Sequence, residues 1–357
     1  MEINISRIIS QFDVEGELIS SELFGSGHIN RTYKAVTDRG RKYIVQQISE
    51  AAFHNIPGLM NNIVLVTKAL ALKNDDPRSY LHLIPALQGG YWIRSEEGEC
   101  WRVYDYIDRT LCLQQAQYPS DFLQSAVAFG RFQNQLSDFP IETLVETIPD
   151  FHNTTDRYRQ FHEALEKDVC NRAASVKKET EFLMDREEEG GVLVRMRADG
   201  TLPTRVTHND TKLNNVLLDA ETRKALCVID LDTVMPGLAA YDLGDAVRFG
   251  ASTAAEDEKD LDKVELDLSL YQTFVEGFIP ACGTLTHMEI STLPLGAKIM
   301  TLENGVRFLT DYLNGDVYFQ IHRPEHNLDR ARTQIRLIED MEKKWSAMEK
   351  TVQQYLV

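Results

Sequence analysis

One stretch, Val206 to Asp232, limits what this chain can fold into more than any other. It reads Val-Thr-His208-Asn-Asp210-Thr-Lys212-Leu-Asn-Asn215-Val-Leu-Leu-Asp219, then a short polar turn, then Ala-Leu-Cys-Val-Ile-Asp230-Leu-Asp232. Two apolar runs, Asn215 to Leu218 and Ala225 to Ile229, flank the polar segment Asp219 to Lys224, the pattern of a β-hairpin. Asp210 and Asn215 precede the first strand and Asp230 ends the second, so a hairpin gathers two carboxylates and an amide at one end of a small sheet. Oxygen ligands of this kind suit magnesium, which takes one or two carboxylates together with the oxygens of a bound phosphate.

Size and charge narrow the setting. At 357 residues the chain exceeds what one core usually supports, which favours two lobes. A net charge of −17 opposes binding to nucleic acid or an anionic membrane, since both require basic patches. Cys100, Cys112, Cys170, Cys227 and Cys282 show no C-x-x-C spacing and read as reduced thiols. The N-terminus lacks a basic start followed by an apolar core, and no apolar run approaches membrane-spanning length. The expectation is a soluble, cytoplasmic protein, a monomer or weak homodimer.

Residues 1 to 107 read as a small sheet with one main helix. Strands are expected at Ile19 to Phe24, Thr32 to Val36 and Tyr43 to Ile48, with Gly25-Ser26-Gly27-His28 between the first two. Pro57 to Leu72 is the helix, and further strands fit Leu83 to Leu87, Tyr91 to Arg94 and Trp101 to Tyr104. Residues 108 to 357 turn helical. Ser120 fits an N-cap for a helix closed by Pro140. Further helices are expected over Tyr158 to Val176, Lys177 to Glu189, Leu266 to Phe278, Thr292 to Leu313 and Arg330 to Val352. The fold class is therefore α+β, a β-rich N-terminal lobe followed by a larger, mainly helical C-terminal lobe.

These residues carry a resemblance. His208-x-Asp210-x-x-x-x-Asn215, with Asp230 fifteen residues on, resembles the catalytic loop and metal-binding aspartate of the protein-kinase-like fold. The spelling His-Asn-Asp, and Ile-Asp-Leu-Asp in place of Asp-Phe-Gly, is similar to the aminoglycoside phosphotransferase and choline kinase branch. Gly-His-Ile-Asn (27 to 30), the run from 206 to 215, Ile-Asp-Leu-Asp-Thr (229 to 233), Arg-Phe-Gly-Ala-Ser-Thr (248 to 253) and Pro-Glu-His-Asn-Leu near 325 resemble the N-acetylhexosamine 1-kinases.

The resemblance implies an ATP- and magnesium-dependent kinase acting on the anomeric hydroxyl of a small sugar. Asp210 then accepts the proton of the attacking hydroxyl, Asn215 and Asp230 hold magnesium, and Lys212 reaches the γ-phosphate. Gly25, Ser26 and Gly27 cover the triphosphate, Tyr104, Tyr106 and Ile107 form the hinge at the adenine, and Gln46 or Gln47 meets a phosphate or the sugar. His28, Thr233, Phe249, Arg307, Asp311 and Tyr318 join Asp210 around the acceptor. His208 orients the loop, Asp242 and Asp245 hold it, and Asp232 is either a second metal ligand or a substrate contact.

One departure is plain: the third strand carries Gln46 and Gln47 where the wider fold has a lysine, and residues 59 to 74 hold no acid to pair with one. Lys212 and Lys42 are the cations left for the phosphates. The same chemistry on an aminoglycoside, choline-like or homoserine-like acceptor stays open, as does a catalytically silent nucleotide-binding scaffold. His322-Arg-Pro-Glu325-His326 matches a zinc-protease spelling, but Pro324 breaks the helix that such a site needs.

Overall fold

In the computed structural model of the chain, residues 4–25 and 29–356 are described. The elements begin with α1 (Ile5–Ile9), β1 (Leu18–Leu23), β2 (Arg31–Thr37), β3 (Lys42–Ile48), α2 (Ile56–Ala71), β4 (Ile93–Arg94), β5 (Cys100–Asp105) and β6 (Thr110–Cys112). Helices α3 (Pro119–Gln135), α4 (Thr154–Lys167), α5 (Lys177–Met184), α6 (Glu187–Gly190) and α7 (Val192–Ala198) follow. Then come β7 (Arg205–Thr207), β8 (Val216–Asp219), β9 (Ala225–Val228), β10 (Met235–Gly237) and α8 (Ala239–Gly250). The chain finishes with α9 (Leu268–Ala281), α10 (His287–Leu313), α11 (His326–Lys343) and α12 (Trp345–Gln353). The strands form sheets of order β1-β2-β3-β5-β4, β6-β8-β9 and β10-β7.

Two compact units result. One comprises Met1–Leu111, Asp138–Pro149 and Leu217–Met235; the other comprises Cys112–Ser137, Asp150–Val216 and Pro236–Val357. The first is built on the five-stranded sheet, whose paired neighbours all run antiparallel. Alternation along its strands sorts side chains onto two faces. Ala35, Tyr43, Val45, Trp101 and Val103 form one face and bury against Ile5, Ile8, Ile9 and Phe12. The intervening positions, Gln46 and Arg102 among them, face the other way, and Arg102 lies against Met60 of α2 at 3.9 Å. Asn62 of α2 donates to the carbonyls of Val145 (2.8 Å) and Val234 (3.0 Å), so one buried amide ties all three segments of this unit together.

The second unit is helical and centred on α10, buried along almost its whole length. Its N-terminus carries a capping box between Thr286 and Glu289. Against it lies α8, and the crossing is close because both helices present glycine. A Cβ on Gly244 would stand 2.4 Å from the carbonyl oxygen of Gly296, and a Cβ on Gly296 would stand 2.4 Å from that of Ala240. This contact sets the height of α8, and α8 carries Asp242 and Asp245.

Several expectations need correction. Helix α3 starts at Pro119 rather than being capped by Ser120: proline suits the first turn, and the Asp121 carboxylate accepts the amides of Gln117 and Tyr118, both at 3.0 Å. The helix expected over Tyr158 to Val176 stops at Lys167, because Asp168 turns left-handed (φ 35°) and its carboxylate takes the amides of Arg172 and Ala173. Leu83 to Leu87 forms only isolated bridges, since Pro85 has no N–H to give a ladder. Arg330 to Val352 is two helices broken at Lys344, whose ammonium binds the Leu266 carbonyl at 2.8 Å. Helix α8 was not expected at all.

Candidate active site

In the helical unit, residues 207 to 215 form a loop whose backbone is held from α8. The amides of His208 and Asn209 donate to the Asp242 carboxylate at 3.0 and 2.8 Å, and Gln133 of α3 donates to it at 2.6 Å. Burial pushes the Asp242 carboxyl up, and these donors work against that push. The Thr211 amide reaches Asp245 at 3.0 Å. Asn209 sits left-handed (φ 65°), a conformation asparagine tolerates, and a Cβ on Gly237 would meet Thr207 and Asn209 at 2.2 and 3.0 Å. His208 is buried between the edges of Phe129 and Phe132, with Nδ1 3.3 Å from the Asp210 amide. It orients the loop as an interior group.

This frame presents Asp210, Lys212 and Asn215 together. Asp210 Oδ1 lies 2.8 Å from Lys212 Nζ, and Oδ2 accepts from Asn215 Nδ2 at 2.9 Å. Burial opposes ionisation of Asp210, but Lys212, His208 and Asn215 outweigh it, and the carboxyl sits below its ordinary range. Lys212 is raised, chiefly by Asp210 and then by Asp245 against the cost of burial, so it stays an ammonium. Asp245 in turn meets Arg248 at 3.0 Å, and Arg248 meets Glu256 at 2.6 Å. The result is a chain of alternating charge running away from Asp210.

A buried support enters from α10. His152 faces Glu303 with Nδ1 at 2.9 Å and the carbonyl of Asn209 with Nε2 at 3.2 Å, while Thr154 takes the second Glu303 oxygen at 2.8 Å. A carbonyl only accepts, so His152 donates to the residue directly before Asp210. Neither His152 nor Glu303 was singled out from sequence.

Of the residues expected around the acceptor, Phe249 borders a cavity of about 640 Å³ with Cys112, Leu113, Gln114, Gln115, Ala116 and Gln117. That wall is tied to the loop of residues 207 to 215, since Asn214 donates to Gln114 at 3.3 Å and its carbonyl accepts from the Cys112 thiol at 3.2 Å. Arg307 lies over Phe151, Phe319 and Tyr318 at 5.4, 5.5 and 6.0 Å, and Tyr318 is exposed. Asp311 is buried and accepts the amides of Val317, Tyr318 and Phe319 at 2.8–2.9 Å, so any part it plays at the acceptor runs through the loop that carries Tyr318. His322 lies before α11 and His326 begins it. Among the described residues no group of three or more His, Cys, Asp or Glu could hold a metal ion by itself.

In the sheet unit, Gly25 is at φ 81°, while Ser26, Gly27 and His28 lie outside the described residues. Tyr106 packs edge-on against Phe24 at 5.8 Å, with Lys34 and Lys42 over its ring. Its amide donates to the Lys42 carbonyl at 3.1 Å, and the Ile107 carbonyl accepts from Thr110 at 3.1 Å. Lys42 is engaged by Asp108 at 2.5 Å. Gln46 accepts from Arg102 and donates to Thr32, both at 3.0 Å, so its amide serves the sheet; Gln47 is half-buried one position on. Tyr104 is buried with the Arg102 guanidinium 5.3 Å from its ring centre; burial pushes its hydroxyl well above the ordinary range, and the Arg102 charge works against that push. Asp230 is left-handed (φ 59°) and leads a turn of 3-10 helix, Leu231–Thr233, in which Thr233 is buried. Asp232 is held by Arg102 and by Asn30, both at 2.5 Å.

The donor set fits a hard cation. Asn215 directs its NH₂ at Asp210, to the carbonyl at 2.8 Å and the carboxylate at 2.9 Å, which leaves the Asn215 amide oxygen as the atom to offer. An amide oxygen beside a carboxylate is the kind of donor magnesium takes when phosphate supplies the remainder.

A small antiparallel-sheet unit and a larger helical unit carrying a His-x-Asp-x₄-Asn loop define an α+β kinase-like fold. Residues 20–271 match the model of the phosphotransferase enzyme family known as APH, and the chain belongs to that family. An aminoglycoside phosphotransferase from Alicyclobacillus acidocaldarius is similar in structure with a TM-score of 0.64 at 12% identity, covering 99% of this chain and 98% of that one. A microcompartment-associated aminopropanol kinase gives 0.59 at 16%, covering 97% and 98%. An amicoumacin kinase solved with AMP-PNP and Ca²⁺ gives 0.56 at 12%, covering 91% and 88%. No described helix is long and apolar enough to cross a membrane.

Proposed function

We propose that this phosphotransferase moves the γ-phosphate of ATP, with magnesium, onto the anomeric hydroxyl of an N-acetylhexosamine such as N-acetylglucosamine or N-acetylgalactosamine. The motifs shared with the N-acetylhexosamine 1-kinases supply the substrate class, and the nucleotide analogue and divalent cation in the amicoumacin kinase support the cofactors. The observation that carries the choice of acceptor is the cavity beside the catalytic loop. Three glutamines and the Phe249 ring line it, and among the described residues lining it there is no carboxylate. An aromatic face with amide donors and acceptors suits a neutral polyhydroxylated ring; a cationic amine calls for acids.

In this reading Asp210 takes the proton of the sugar hydroxyl as its oxygen bonds to the γ-phosphorus and the bond to the bridging β-γ oxygen breaks, releasing ADP. The low-lying carboxyl keeps Asp210 ionised at neutral pH. Lys212 balances charge beside it, and Asn215 and Asp230 are assigned to magnesium, which would neutralise the phosphate oxygens. Arg307, Tyr318 and Phe249 are assigned to the sugar.

Phosphorus NMR of the product formed from ATP, magnesium and a panel of N-acetylhexosamines, aminoglycosides, choline and homoserine tests acceptor and position together. A sugar 1-phosphate doublet is expected. Phosphate on another hydroxyl, or turnover only with the amines, overturns the assignment. Phe249→Ala should raise the KM for the sugar at least fivefold and leave that for ATP within twofold.

A further inference from the structure

The kinase-like fold ordinarily holds its nucleotide phosphates through a third-strand lysine paired with a helix glutamate, and this chain lacks that pair: Lys42, at the start of β3, is bound by Asp108 at 2.5 Å, Gln46 and Gln47 follow on the strand, and residues 59 to 74 hold no acid. The sheet unit nevertheless buries a cation on that face. Arg102 belongs to β5, directly across from Gln46 in the β3–β5 register. Its Nε donates to Gln46 at 3.0 Å and its Nη1 lies 2.5 Å from Asp232 Oδ1, with side-chain exposures of 1% and 4% for Arg102 and Asp232. The approach to Oδ1 is an ion pair, and among the described residues Oδ1 has no hydrogen-bond partner. The second oxygen accepts from Asn30 Nδ2 at 2.5 Å, and Asn30 Oδ1 accepts the Ser49 amide at 3.0 Å.

Asp232 therefore joins three pieces of the unit: the start of β2, the end of β3 and β5. It also stands one turn from Asp230, within the 3-10 turn Leu231–Thr233, and its own carbonyl is fixed by Thr147 at 2.9 Å. A carboxylate already matched to a buried guanidinium and an amide has little charge left for a cation. Asp230, which leads the same turn, is left-handed (φ 59°).

We infer that Arg102 and Asp232 form a latch that replaces the missing lysine–glutamate pair, with Arg102 and Asp232 as positioning residues that set Asp230 for the metal–nucleotide complex. The polarity is inverted relative to the usual arrangement: the cation comes from β5 and the anion from the turn that follows the metal-facing aspartate. Asp232 is then a partner of Arg102 and not a second metal ligand. The inference rests on the nucleotide-dependent reading of the protein.

The test compares wild type, Arg102→Met, Asp232→Leu and the double variant by melting temperature and by calorimetric binding of AMP-PNP with and without magnesium. Each single variant leaves a buried charge without its partner and should melt lower, whereas the double variant, apolar on both sides, should regain most of the loss. The gain in nucleotide affinity that magnesium brings should fall at least tenfold in all three, with the double no worse than either single. Two results overturn the latch. One is a double variant with both wild-type melting and the wild-type magnesium gain, which makes the pair purely structural. The other is an Arg102→Met protein that keeps the gain while Asp232→Leu loses it, which makes Asp232 a ligand. Should the apolar variants not fold, Arg102→Lys decides: it keeps the charge and loses the fork, so a threefold or larger loss of the magnesium gain supports the latch and an unchanged gain overturns it. A wild-type protein that binds no AMP-PNP under any condition would instead refute the nucleotide reading itself.

Discussion

Lys212 Nζ and Asp210 Oδ1 stand 2.8 Å apart, and the second Asp210 oxygen accepts from Asn215 of the same loop. The base of the proposed reaction and the cation beside it are thus a single electrostatic object. The Asp210 carboxyl lies below its usual range because of that partner, so activity should persist as pH falls into the acid range and fail only below the ordinary aspartate value. In Lys212→Ala the carboxyl rises, and the acid limb of the kcat/KM profile should move to higher pH. Turnover at neutral pH should drop about 100-fold, compared with about 1000-fold or more for Asp210→Asn. A Lys212→Ala profile that overlays wild type would separate the two groups.

His152 offers a second handle on the same loop. Burial resists the charge on Glu303, and His152, together with Arg307 and Arg157, outweighs it, keeping that carboxyl low. His152→Leu leaves Glu303 buried with Thr154 and should cost about 3 kcal/mol of stability. Because the lost donor held the Asn209 carbonyl, kcat should also fall about tenfold while the KM for ATP changes little. Urea unfolding and steady-state kinetics on one preparation measure both effects.

The crossing of α8 and α10 predicts a stability defect with a distant functional echo. Gly296→Ala pushes a methyl to within 2.4 Å of the Ala240 carbonyl, and a backbone atom has no easy escape. The expected cost is about 2 kcal/mol. A shift of α8 displaces Asp242 and Asp245, so amide exchange at His208, Asn209 and Thr211 should accelerate beyond the global change. Equal protection in variant and wild type would show that the loop does not depend on the height of α8.

Acid sensitivity has a specific contributor in α11. Arg186 binds both oxygens of Glu342 at 2.8 and 2.9 Å, and Lys298 adds a contact at 2.9 Å. The Arg186 fork is the main reason the carboxyl falls to about 2, with burial opposing it. A lowered carboxyl stabilises the fold above its unfolded value near 4.5, and that contribution disappears as pH falls towards 2. Glu342→Gln should accordingly melt below wild type at pH 6, with the gap closing between pH 4.5 and pH 2. A gap independent of pH would assign the loss to packing.

What the sequence made legible follows from distance along the chain. His208 to Asn215 is one short run, and its roles rest on spacing within a single loop, so residue order alone was informative. The β8–β9 hairpin and helix α2 likewise follow from local periodicity. Nothing local marks Arg102, because its partner, Asp232, lies in a separate segment; His152 and Glu303 are likewise 151 residues apart. Helix α8 escaped notice for another reason: it is buried at Ala239 through Arg248, so no polar face marks a period. Its two aspartates, expected to hold the loop by hydrogen bonds, do so as buried acceptors of the His208, Asn209 and Thr211 amides.

The sheet unit draws its last segment from Leu217–Met235, well after its strands have been made. On a ribosome, Arg102 emerges roughly 130 residues before Asp232, an interval of about ten seconds at ordinary elongation rates. Throughout that interval the five-stranded sheet lacks the counter-ion for its buried guanidinium and the Val234 carbonyl that Asn62 binds. The N-terminal hundred residues are therefore a nascent chain in need of protection, and fragments ending before residue 230 should be captured by chaperones or degraded rather than accumulate as a stable nucleotide-binding module.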